Sequence, residues 1–407
     1  MQIQPDRLLA DLRALAAIGK FETGVNRPAF SSKDIAAREW LRDRMTDAGL
    51  TAILDSYGNV YGRMPGVETA VLLGSHSDTV PYGGWLDGSL GVIYALEIAR
   101  AANETGSAAR HGVDVISFQD EEGTFLALLG SRSFCGENVE SEVRAAESKE
   151  GRPLTEAMAE ARLPRAAARL DPRRHIGFLE AHIEQGPRLE RSGQQIGVVS
   201  GIVGIKTFRV VFLGQADHAG TTPMSMRRDA GAAALRFGDL LRGRLRDRGG
   251  GDTVWNFGSA AFKPGASNVV PNEAEIVMQV RDPSEQVLTE LERVIRSTAE
   301  ESAAPFNAEV IVTRTLDTQP AAMNPDLVRV LERAAAELGA SSTVMPSGAG
   351  HDAMVLSRYL PAAMLFVPSI GGRSHHISEN TKDEDIILGA EVLARAVELL
   401  ITDRVRS

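Results

Sequence analysis

Four short stretches of the chain gather imidazoles and carboxylates: "HSDTVPYGGWLDG" (76–88), "QDEEG" (119–123), "EAHIEQG" (180–186) and "GGRSHHISEN" (371–380). Of the eight histidines in the 407 residues, His76, His182, His375 and His376 fall in them. A dinuclear metal centre needs this inventory: imidazole and carboxylate ligands, one carboxylate to bridge the ions, and an open position for water. There is a single cysteine, Cys135. No intrachain disulfide can form and a thiolate-only metal site is excluded, so any metal must be held by His, Asp and Glu.

Each candidate also has a plainer reading. His76 alone is compatible with a structural loop histidine. Asp78, two residues on, favours a ligand, because a metal-bound imidazole hands its second N–H to a carboxylate. Asp87 is either a ligand or a turn residue before Gly88. Glu121 and Glu122 follow an apolar strand, and adjacent residues leaving a strand point to opposite sides. One can then bind metal while the other faces the water as general base; the competing reading is a solvated acidic turn. His182 shares a strand face with Glu180 and Glu184 if the segment is extended, or is a satisfied strand histidine. Of His375 and His376 only one can face the same centre.

The elements that must position these residues follow from pattern. "SSKDIAAREWLRDRMTDAGL" reads as a helix with a serine N-cap, and "TAILDSYGNVYGRMPG" as a hairpin turning at Gly-Asn. "TAVLLGSHSDTV" is a buried strand ending at Gly74, "GSLGVIYALEIARAANETG" a helix, and "HGVDVISFQDEEG" a second buried strand ending in acids. Such alternation predicts an α/β domain with a mixed, mainly parallel sheet. Functional residues then gather beyond the carboxyl ends of the strands. From residue 206 the order changes to βαββαβ, which predicts a ferredoxin-like α+β domain over 206–317. It is inserted into a domain formed by 1–205 and 318–407, completed by the strand "AAMLFVPS" and a long final helix.

The formal net charge of −10 supplies no positive field for phosphates, which argues against nucleic acid. The arginine-rich "LLRGRLRDRGGG" reads as a solvated helix end. No apolar run has the length of a membrane span, and the N-terminus reads as an amphipathic helix and not a signal peptide. A cytoplasmic enzyme or binding protein is the expectation. Neither a G-x-S-x-G elbow nor a P-loop occurs.

Taken in order, these segments with "QADHAGTTPM", "SNVVP" and "SGAGHDA" resemble the hydantoinase/carbamoylase family of amidohydrolases, over nearly the whole chain. That family lies within the two-metal aminoacylases and carboxypeptidases, which carry an inserted dimerisation domain. The resemblance implies a zinc-peptidase-like catalytic domain with two divalent ions. Zinc comes first among them, with manganese, cobalt or nickel also compatible with such ligands. His76 and His182 would hold one ion, Glu122 and His375 the other, and Asp87 would bridge them, with Glu121 as base. His218 would reach across a homodimer to the scissile carbonyl. Gln185, Asn268, Arg281 and Gly350 would meet a small carboxylate substrate, Arg281 as its fork; His351 and Asp352 would support the site. The implied reaction is hydrolysis of a linear amide or ureide, foremost an N-carbamoyl-L-amino acid. The alternatives are an N-acyl amino acid or small peptide at the same centre, or a binding protein that keeps only the fold. One departure stands out. Relatives carry a longer "EEG-x-R-F" segment, whereas "EEGTFLALLGSRSF" is shorter and lacks that arginine, so the pocket wall differs.

Overall fold

The structure, a computed structural model, describes residues 1–105 and 111–405. Helix α1 (Pro5–Ala17) buries Leu8, Leu9, Leu12 and Leu15 along one face. In α2 (Ser32–Asp47) the Ser31 side chain accepts from the Asp34 N–H, the cap its sequence forecasts. Strands β1 (Thr51–Leu54) and β2 (Val60–Arg63) form an antiparallel hairpin. β3 (Thr69–His76) does not stop at Gly74; it stays paired with its neighbour through His76, because residues 70–76 are all buried on both faces. Helix α3 (Ser89–Thr105) leads to β4 (His111–Phe118), β5 (His175–Ile183) and β6 (Ile196–Ile202).

The chain divides into two compact units, Met1–Ser200 with Ala322–Ser407, and Gly201–Ala321. The second contains β7 (Gly204–Leu213), α4 (Ala230–Arg248), β8 (Val254–Lys263), β9 (Glu273–Asp282), α5 (Glu285–Ala303) and β10 (Glu309–Thr318). Its antiparallel sheet runs β8-β9-β7-β10, the ferredoxin-like order. Alternate residues Phe208, Val210 and Phe212 of β7 pack with Phe237 and Leu241 of α4 and Leu291 and Ile295 of α5.

The first unit resumes with α6 (Pro325–Glu337), β11 (Ser342–Ser347), β12 (Ala362–Val367) and α7 (Asp383–Val405). Its mixed sheet runs β6-β12-β5-β3-β4-β2-β1, with β11 paired to β6. The central strands β12, β5, β3 and β4 are mutually parallel, and antiparallel pairs flank them. These four are buried runs such as "VLLGSH" and "AAMLFV", as strands covered on both faces must be. Their carboxyl ends lie side by side. Among the described residues no helix is long and apolar enough to cross a membrane.

Candidate metal centre

Each of the four central strands delivers a polar residue at its carboxyl end. His76 is the last residue of β3, His182 lies one before the end of β5, Glu121 and Glu122 follow β4, and His375 follows β12. Asp87 enters from the loop before α3. There Gly88 has φ +64, and a Cβ on it would overlap the His76 ring. Only glycine allows the imidazole and the Asp87 backbone to come that close.

Among the described residues two groups can hold a metal ion: His76, Asp87 and His182, and Asp87, Glu122 and His375. They share Asp87 and split its oxygens. Oδ1 lies 3.0 Å from His182 Nε2 and 3.6 Å from His76 Nε2. Oδ2 lies 3.3 Å from His375 Nε2, which is itself 3.4 Å from Glu122 Oε2. The imidazoles are set up as ligands. His76 Nδ1 donates to the Asp78 carbonyl at 3.0 Å, and His182 Nδ1 to the Ile183 carbonyl at 2.9 Å. A carbonyl only accepts, so the proton sits on Nδ1 and the Nε2 lone pair turns inward. Glu122 Oε1 is buried without a hydrogen-bond partner, a cost that a bound cation would remove. The donor set fits divalent ions.

The electrostatics agree. Burial alone would raise the Asp87 carboxyl, but the close approach of His182, His375 and His76 outweighs it and holds it well below the usual range. His375 is pushed up to about 9, first by Asp87. Burial raises Glu122 to about 7 and Glu121 well above the ordinary carboxylate range. The cluster holds protons where a cation would sit, so metal binding must release them.

The remaining residues fall into place around this core. Glu121 Oε2 is 3.6 Å from His76 Nε2, while Glu122 turns to His375. They diverge because they occupy a turn beyond β4, which ends at Phe118, and not through strand alternation. The Asp78 carboxylate does not take the His76 N–H, which goes to the Asp78 backbone carbonyl instead; it accepts from the Glu122 N–H at 3.3 Å and pairs with the buried Arg38 at 3.3 Å. Gln185 donates to Asp87 Oδ2 at 3.0 Å. His376 turns to Ser378 instead of the cluster. Glu184 does not share a face with His182; β5 ends at Ile183, and its carboxylate accepts from the Arg188 and Leu189 N–H groups. A Cβ on Gly350 would meet nothing within 4 Å, so packing within the chain does not demand the glycine. The next residue, His351, stacks edge-on against His182 with ring centroids 4.5 Å apart.

In the second unit, His218 Nδ1 accepts from the Gly220 and Thr221 N–H groups at 3.1 and 3.2 Å. Its proton is therefore on Nε2, exposed and free to donate. The Ala219 N–H donates to the Asn268 carbonyl, which draws the two loops together. Arg281 is elsewhere: it lies near the far end of β9, half-buried, with its Nε donating to Gln279.

The Ser374-His375 step and Glu379, four residues after His375, mark this segment in the sequence by resemblance, but their contacts with the Asp87 loop do not show there. Glu379 accepts from the Leu86 and Asp87 N–H groups at 3.1 and 3.0 Å and from Ser374 Oγ at 2.9 Å. Ser374 Oγ also lies 3.0 Å from Asp87 Oδ2. These contacts join residues nearly 300 positions apart, and only the folded sheet reveals them.

The profile of peptidase family M20/M25/M40 matches residues 72–399. The chain belongs to that family. It is 36% identical over 406 residues to an N-carbamoyl-L-amino acid amidohydrolase of Geobacillus stearothermophilus, covering 97% of this chain and 98% of the relative. It is 34% identical over 378 residues to the allantoate amidohydrolase of Escherichia coli K12, covering 91% and 92%. A crystal structure of a hydantoinase/carbamoylase family amidase from Burkholderia phymatum superposes with a TM-score of 0.92 at 44% identity, covering 99% of this chain and 98% of that one. The M20 chain is thus an amidohydrolase, a hydrolase of non-peptide amide bonds, and M20 enzymes characteristically bind divalent metal ions.

Proposed function

We propose that this M20 amidohydrolase uses two divalent ions to hydrolyse an N-carbamoyl-L-amino acid or a related ureido acid. The observation that carries the reading is Asp87, whose two oxygens address two separate ligand groups. His76 and His182 would hold one ion, Glu122 and His375 the other, with Asp87 between them. Bound there, the ions supply Lewis acidity and make the attacking water acidic near neutral pH. Zinc suits the ligand set; manganese, cobalt and nickel also suit it.

Glu121 takes the proton from the attacking water and passes it to the departing nitrogen. Its burial and its nearness to His76 support that role. The Nε2–H of His218 is a donor suited to the oxyanion of the tetrahedral adduct. Arg281 suits the substrate carboxylate, with Asn268, Gln185 and Gly350 as further contacts. With a carbamoyl substrate and one water, the products are the amino acid, ammonia and carbon dioxide.

The placement of these residues within the second unit favours a homodimer. Asn268 and His218 sit before the start of β9, and Arg281 lies eight residues beyond Glu273, the first residue of that strand. At about 3.4 Å per residue the separation is roughly 27 Å. No small substrate spans that distance, so His218 with Asn268 and Arg281 can serve one substrate only if two copies contribute.

The test is ammonia release by metal-loaded protein from N-carbamoyl-L-amino acids and allantoate, with matched N-acetyl amino acids alongside and a chelated control. Chelator-sensitive ammonia release from the ureido compounds is expected. Release of amino acid from the acetyl compounds alone would replace the proposal with an N-acyl-amino-acid deacylase.

A further inference from the structure

Glu121 and Glu122 face different imidazoles from a turn and not from an extended strand. Here the turn is bracketed by two left-handed residues, Asp120 at φ +56 and Gly123 at φ +69. Glycine adopts this conformation freely; aspartate is among the few other residues that tolerate it.

Asp120 contributes more than its backbone. It is fully buried, and its carboxylate accepts hydrogen bonds from three successive amides ahead of it. Oδ1 accepts from the Thr124 N–H at 2.7 Å, and Oδ2 from Phe125 at 3.1 Å and Leu126 at 2.8 Å. The segment after Gly123 is thereby folded back on the residue that precedes the glutamates. The base of the loop is closed separately by the Gly130 N–H donating to the Gln119 carbonyl at 2.7 Å. Glu122 has its own tether, through its N–H to Asp78. The three amide bonds of Asp120 close the turn from the other side, around Glu121.

We infer that Asp120 is a positioning residue for the reaction: its carboxylate, by capturing the Thr124–Leu126 amides, aims Glu121 at the space beside His76. This rests on the reading of Glu121 as the base. A group that acts on Glu121 through geometry should affect kcat, since displacement of a reacting group by about 1 Å can cost about a hundredfold. It should leave substrate affinity and metal content alone.

Two substitutions separate the carboxylate from the backbone. Asp120→Gly keeps the left-handed conformation and removes both acceptors. Asp120→Asn keeps the conformation and one acceptor, so it can satisfy only one side of the amide row. In metal-loaded full-length protein, with an N-carbamoyl-L-amino acid that the wild type turns over, kcat is expected to fall by about tenfold to a hundredfold. KM should stay within about twofold, metal content should be unchanged, and the order should be wild type, then Asn, then Gly. A purely structural role predicts a lower melting temperature with normal kcat per folded chain, and that result would overturn the inference. Metal loss in step with activity would also overturn it, because the effect would then run through Glu122. Should the glycine variant not fold, the asparagine variant carries the same comparison. A crystal structure of either variant gives a readout independent of substrate: a Glu121–His76 separation still at 3.6 Å would refute the inference. Glu121→Gln is the control for the underlying reading. If that variant is active, the base assignment fails; if it is inactive while both Asp120 variants are normal, only the present inference fails.

Discussion

Asp87→Asn is the sharpest perturbation of the two-ion proposal, because it changes one atom of the one ligand that both groups share. The structure dictates which way the amide will sit. Asp87 Oδ2 receives a hydrogen bond from Gln185 Nε2 at 3.0 Å, an N–H that only an oxygen can accept, so the asparagine oxygen belongs there. Its NH2 must then face His182 and His76, whose Nε2 atoms lie 3.0 and 3.6 Å from Oδ1. An amide nitrogen donates and cannot bind a cation. The His76–His182 position should therefore empty, while the Glu122–His375 position keeps a neutral oxygen and weaker binding. Losing a group that merely orients a metal ligand costs about 10–100-fold in affinity, so losing a ligand should cost at least about a hundredfold, or about 2.7 kcal/mol. At a free zinc concentration of about 100 Kd, the wild type gains about 2.7 kcal/mol of stability per ion; at the same concentration the variant gains about 0.4 kcal/mol. The assay is equilibrium dialysis with elemental analysis, paired with melting curves with and without chelator. One ion per chain at most, and a zinc-dependent melting shift smaller by several degrees, are expected. Two ions at unchanged affinity would refute the bridging role of Asp87.

Glu121→Gln should lower turnover by about 10²–10⁴-fold with both ions retained, and turnover at the wild-type rate would remove it as the base. Away from the site, Asp114 accepts from Arg174 Nε at 2.7 Å and from Tyr61 Oη at 2.7 Å. Burial alone would raise its carboxyl, but Arg174 and its other partners hold it at about 2, below its ordinary 3.8. Because the folded-state value is depressed, the stability is present above about pH 4 and is lost as pH falls towards 2; it amounts to about 2 kcal/mol. Asp114→Asn should cost about 3–5 kcal/mol at neutral pH by leaving Arg174 buried without its countercharge, and should flatten this acid limb of the melting temperature. Identical acid limbs in the two proteins would contradict the assignment.

The legible parts of the molecule share a physical cause. Strands buried on both faces read as apolar runs, so the polar residues that end them, His76 and His182, stand out against that background. The βαββαβ order of the second unit is legible where its strands alternate, as β9 does throughout and β7 through most of its length. What stayed hidden depends on long-range contact or backbone conformation. β11, "STVMPS", contains a proline and is half-exposed at the margin of the sheet, so it has no strand signature. The grip of Glu379 on the Asp87 loop exists only once distant segments meet. The left-handed conformations of Gln185 at φ +59 and His375 at φ +55, both beside Asp87, cannot be read from residue type. Gly74 reads as a terminator of β3, yet the strand continues through it, in register opposite Ile116.

The position of β12 has a consequence for how the protein is made. This strand leaves the ribosome long after β5 and β6, yet it sits between them, inside the sheet. From His182 to Phe366, its partner across the β5–β12 pair, the chain grows by 184 residues. At about 5–20 residues per second that takes roughly 10–40 seconds. For that interval β5 presents an unpaired apolar edge, the kind of template on which other chains add. A nascent chain stalled before Ala362, or a truncation that removes β12, leaves a split sheet, and aggregation is its expected fate.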